Sequence, residues 1–199
     1  MKRARPIFLA LALVCFALAL AITLGTRAAR GPATGRASLL ERLVGPFAGL
    51  AASAQWVRAD LALREGRFGV FCERAETALA LAPSDPQGWI YYAHQLLFER
   101  ASPLREPARE LRESWSRAGI ELLRRAEGEC ANPAEIWIYE GGIFAMWAEI
   151  PAEERPWTGT ARELRIHALE AFARARALGH PKAGMFEQAL RERLEETDR

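Results

Sequence analysis

From Leu39 to the C-terminus, apolar residues recur at three- and four-residue intervals, and prolines fall at the borders of the periodic stretches. That period is the α-helical one, and the two-residue alternation of strands is absent. The pattern predicts an all-α fold with helices near 39–50, 53–65, 68–82, 87–100, 108–127, 134–149, 161–178 and 183–196, with Gly66 punctuating the first pair. Short loops between them imply antiparallel neighbours. Half of the 199 residues are hydrophobic and 26% are charged, a globular composition. About 160 residues lie beyond the N-terminal segment, enough for one domain with a real core.

That N-terminal segment has its own logic. A basic start precedes an apolar run from Ile7 to Leu24, broken only by Thr23. As a helix it spans roughly 27 Å, close to a bilayer core. Residues 1–27 are therefore expected to be a signal anchor whose residues 7–24 form one transmembrane helix. A cleaved signal peptide is the rival, with Ala19-Leu20-Ala21 as the cleavage signal. Residues 28–38, rich in Gly, Pro, Thr and Ser, read as a linker to a helical domain at 39–199. A short basic start favours export of the domain behind the anchor, so the expected location is a single-pass membrane protein with its domain on the extracytoplasmic side.

Six bases, Lys2, Arg3, Arg5, Arg27, Arg30 and Arg36, flank that apolar run, and no acid precedes Glu41. The remainder carries a small excess of acids, which is not the footprint of a nucleic-acid binder. All but two of the 27 bases are arginine. Cys72 and Cys130 lie far apart and outside any CxxC pair, so no zinc site is expected, and a bridge between them has no support from spacing.

The stretch "AQWVRADLALREGRFGVFCERAETALALAPSD" resembles a tetratricopeptide repeat, a helix–turn–helix of about 34 residues. Ala59 stands as the small residue of the first helix, Gly66 at the turn, Ala78 on the second helix and Pro83 at the close. A second start comes with Trp89 and Ala93. "NPAEIWIYEGG" then echoes "SDPQGWIYYAH", placing Trp137 and Gly141 in a third unit. Trp89 and Trp137 lie 48 residues apart, as do Pro133 and Pro181. The resemblance implies a short α-α superhelix of about three hairpins, with units near 52–85, 86–133 and 134–181. Long insertions would fall inside the second and third units, and residues 182–199 would form a polar-faced cap; an irregular α-helical hairpin array or a closed helical bundle is the alternative.

In such arrays the first helix of each pair lines a groove. Carried over, this implies a partner-binding surface of Trp56, Asp60, Arg64, Ile90, His94, Leu97, Ile138 and Ala145. No catalytic motif, nucleotide loop or metal-ligand spacing occurs, and no cofactor or metal is expected. The acids Glu149, Glu153 and Glu154 read as a solvated loop, and "EGG" at 140–142 as a helix-packing site. The expected function is thus a non-enzymatic, membrane-anchored interaction scaffold for protein partners of a bacterial-type cell envelope. Two alternatives stay open: a subunit of an envelope enzyme complex that uses the insertions, and a self-assembling structural protein.

Overall fold

The computed structural model describes residues 46–197, all of them helix or connecting loop, with no strand among them. They form seven α-helices: α1 Pro46–Arg64, α2 Phe68–Leu81, α3 Pro86–His94, α4 Arg109–Glu129, α5 Pro133–Glu149, α6 Ala161–Ala177 and α7 Ala183–Thr197. A π-helical turn, Gln95–Arg100, continues α3.

The helix ends arise from local chemistry. Pro86 and Pro133 occupy first-turn positions, where the missing N–H is no loss. Asp85 accepts from the Gln87 N–H as the N-cap of α3. Thr160 and Glu163 form a reciprocal capping box on α6. Gly66 and Gly179 adopt φ of +73° and +84°. Each closes a Schellman motif: Arg67 N–H donates to Ala62 O, and His180 N–H to Ala175 O.

α1 packs on α2, α3 and the π turn on α4, and α5 lies between α4 and α6, with α7 on α6. Ala48, Ala52, Ala59 and Ala62 form the buried face of α1, small enough to let α2 come close. Phe71 of α2 is fully buried and meets Tyr92 edge-on at 5.6 Å. Two glycines set the tightest approaches. A Cβ on Gly119 would stand 2.5 Å from Leu97, and one on Gly141 would stand 2.5 Å from the Phe172 ring.

Several expectations need correction. The break expected between helices at 39–50 and 53–65 is absent: one helix runs unbroken from Pro46 to Arg64, and residues 39–45 lie outside the described residues. The tetratricopeptide resemblance does not survive as a repeat. The loops inside the three supposed units cover residues 65–67, 101–108 and 150–160, so no unit copies another. Pro133 opens a helix, whereas Pro181 sits in a turn, so their 48-residue spacing joins unlike positions. Trp89 and Trp137 are both buried, yet they belong to separate clusters. Trp89 donates its indole N–H to Pro83 O at 2.9 Å, while Trp137 Nε1 meets no acceptor. The described residues form a compact bundle rather than a superhelix of hairpins. On α7, Met185 and Phe186 are exposed.

Among the described residues no helix is long and apolar enough to cross a membrane. The expected anchor at 1–27 and linker at 28–38 lie outside those residues. No described element supports a transmembrane helix. The single-pass location, the exported orientation, the envelope partners and the envelope-scaffold role that rested on it are therefore withdrawn.

Candidate functional site

The face of α5 turned toward α7 opens an apolar cleft of about 460 Å³. Ile138, Tyr139, Gly142, Ala145 and Met146 supply one wall, and Phe186, Ala189 and Leu190 of α7 supply the other. Phe98 reaches it from the π turn and Phe172 from α6. The wide π turn matters here. It buries Gln95, Leu96 and Leu97 in succession and leaves the next side chain, Phe98, at the cleft. Phe172 stacks on Phe186 at 5.5 Å, tying α6 to α7.

Polar groups keep to the rim. His94 Nδ1 lies 2.9 Å from the Tyr139 hydroxyl, and its ring tilts over Phe98 at 4.7 Å. Burial pushes the Tyr139 phenol up to about 12, so it stays protonated. Arg193 lies at the open end, 3.9 Å from Glu149. A surface of this kind can hold apolar side chains and orient them with a few polar contacts.

Of the residues expected to form a groove, Ile138 and Ala145 line this cleft, with His94 at its edge through Tyr139. Trp56 and Asp60 lie farther along, where both meet Tyr91: the Tyr91 hydroxyl donates to Asp60 Oδ1 at 2.5 Å, and Trp56 meets its ring edge-on at 5.5 Å. Arg64 is exposed and Ile90 half-buried. Leu97 is buried and faces Gly119, away from any groove. Phe98, Met146, Phe186 and Ala189 were absent from that expectation.

The long loops fold down onto the helices. Buried Arg112 donates to Pro107 O at 2.8 Å and holds the first of them down. Buried Arg155 donates to Trp147 O, Ile150 O and Gly159 O at 2.7–2.8 Å and holds the second. Trp157 folds back to stack on Trp147 at 5.4 Å. Neither loop lines the cleft. Cys72 and Cys130 are free thiols, both with pKa raised chiefly by burial, Cys130 to about 12. They are poor nucleophiles. Among the described residues no group of three or more His, Cys, Asp or Glu side chains could hold a metal ion.

No protein-family model matches the chain, and no curated protein or solved structure matches it. The tetratricopeptide resemblance thus has neither a structural repeat nor a family match behind it.

Proposed function

We propose that this chain acts by protein contact rather than by catalysis, taking the apolar face of a partner protein's helix into the cleft between α5 and α7. The observation that carries this reading is the cleft itself, apolar along both helical walls, with small residues in each wall. Gly142, Ala145 and Ala189 leave room for a third helix to approach, and Met146 adapts its shape to the arriving side chains. A Cβ added at Gly142 meets nothing within 4 Å, so a larger side chain fits without strain in the free protein. The Gly142→Leu variant is therefore expected to be about 0.5–1 kcal/mol more stable, from helix propensity, while blocking the cleft. A photo-crosslinking residue at Met146 should capture a discrete protein in cells, and Gly142→Leu should cut that adduct at least tenfold. The same residue at Leu104, exposed on the first loop, should not capture it. An adduct indifferent to Gly142→Leu, or none, overturns the reading.

A second reading, self-assembly, is favoured by one feature of α1. Phe47, Leu50, Ala54, Val57 and Leu61 stand exposed at alternating intervals of three and four, with Leu50 at 69% and Val57 at 61%. This is the spacing of a two-helix seam. Residues 46–57 carry no charge, whereas Arg58, Asp60 and Arg64 occupy the other half. An antiparallel pair lays each charged half along an uncharged one, which suits a closed two-fold dimer. Light scattering should then give a dimeric mass that falls to the monomer in Leu50→Lys. A monomeric wild type at every concentration removes this reading.

A further inference from the structure

On its other side α5 borders a second cavity, of about 340 Å³, whose character is polar. Arg124 and Glu127 of α4, Trp137 and Glu140 of α5, and His167, Glu170 and Arg174 of α6 surround it. Two of these groups are buried with their hydrogen bonds unmade. Glu140 is 3% exposed and its Oε2 has no partner, while its Oε1 lies 3.8 Å from Arg124 Nη2, too far for a hydrogen bond. Trp137 Nε1, one helical turn away, also has none. Groups left in this state are few in native folds and call for an explanation. One water could serve both, but the cavity has room for a molecule of several heavy atoms.

The charges narrow the class of molecule. Arg124 and Arg174 flank Glu140, and Arg174 lies over the Trp137 ring at 4.4 Å. A simple anion would meet Glu127, Glu140 and Glu170. A simple cation would meet the two guanidinium groups. We infer that this cavity binds a small zwitterion, its ammonium against Glu140 and its carboxylate between Arg124 and Arg174. A carboxylate oxygen there can also accept from Trp137 Nε1. The site is separate from the apolar cleft and does not depend on what the cleft holds. Burial raises the Glu140 carboxyl to about 7, against the smaller opposing pull of Arg124 and Arg174. An ammonium favours its ionised form, so binding releases a proton and tightens as pH rises from 6 to 8. Facing Glu140 are Arg124 and Glu127 from α4 and His167, Glu170 and Arg174 from α6, so His167→Gln is the control for that pH dependence.

The test tracks the Trp137 indole N–H resonance of the full chain by nuclear magnetic resonance. Glycine, β-alanine and γ-aminobutyrate are titrated, with butyrate and butylamine as single-charge counterparts. At least one zwitterion should move the signal saturably, and the single-charge molecules should bind at least tenfold more weakly. Glu140→Gln and Arg174→Gln should each weaken the zwitterion about tenfold at pH 8, in line with loss of one charge-assisted hydrogen bond. Glu140→Gln should also flatten the pH dependence, whereas His167→Gln should leave it. No saturable shift with any zwitterion means that water alone fills the cavity and overturns the inference. Equal binding of butyrate or butylamine overturns it too, as does affinity unchanged in Glu140→Gln.

Discussion

Without ligand at pH 8, the Glu140→Gln chain should be about 3 kcal/mol more stable to urea than the wild type, and at pH 4 the two should nearly coincide. The glutamate sits on α5 between α4 and α6, almost wholly out of water. Its folded-state pKa, about 7, lies above the ordinary value of 4.5, because burial penalises the charged form more than Arg124 and Arg174 stabilise it. Below about 4.5 both the folded and unfolded chains hold the proton. Between about 4.5 and 7 the unfolded chain releases it while the folded chain keeps it, so stability falls as pH rises. Above about 7 the loss is complete. A gap of about two and a half units at 1.36 kcal/mol each gives the magnitude. Other carboxylates contribute equally to both proteins, so the difference between the two stability curves isolates Glu140. A difference that stays flat with pH would mean that the carboxylate is solvated in the folded chain.

Much of the architecture was legible where a residue acts on its own backbone. Pro86 and Pro133 marked helix starts because their chemistry needs no partner, and Gly66 marked a helix end because its positive φ is a local property. The same local chemistry misled at the next level. "DPQGWIYY" and "NPAEIWIYE" look alike because each opens a helix with a first-turn proline and then turns aromatic residues toward the core. Any helix beginning against a core wants that order, so the likeness reports a shared start rather than a repeated unit. The cleft was half legible for a related reason. Ile138 and Ala145 share one face of α5 and could be found from helical spacing. Phe186 and Ala189 could not, because they join the cleft only once α7 folds beside α5. The broad apolar face of α7, Met185 and Phe186 beside Ala189 and Leu190, was the available signal. Glu140 was passed over inside "EGG" because its burial depends on α4 and α6, whose positions no local pattern gives.

Trp147→Ala should destabilise the chain by about 4 kcal/mol, a large share of the total for a domain of this size. Trp147 is 1% exposed and meets Phe144 edge-on at 5.6 Å. Trp157 stacks on the same indole at 5.4 Å and also meets Phe144 edge-on at 5.5 Å, and Arg117 lies 5.0 Å over the Trp157 ring. Removing the indole opens a cavity and takes away the surface on which the loop 150–160 rests. The backbone at this point is held separately: Arg155 still donates to Trp147 O, Ile150 O and Gly159 O whatever side chain stands at 147. Trp157→Ala removes the half-buried member of this cluster, with its contacts to Trp147 and Phe144, and should cost about 2 kcal/mol, from two aromatic pairs at about 1 kcal/mol each. Urea unfolding of both variants gives the two numbers, and the ratio between them is the informative quantity. A large loss at 147 with a smaller one at 157 means that the loop is a lid on the core, held down by Arg155. Comparable losses would mean that the loop is itself part of the core. A negligible loss at 147 would mean that the stack does not form in solution and that the loop is free to shape a surface of its own.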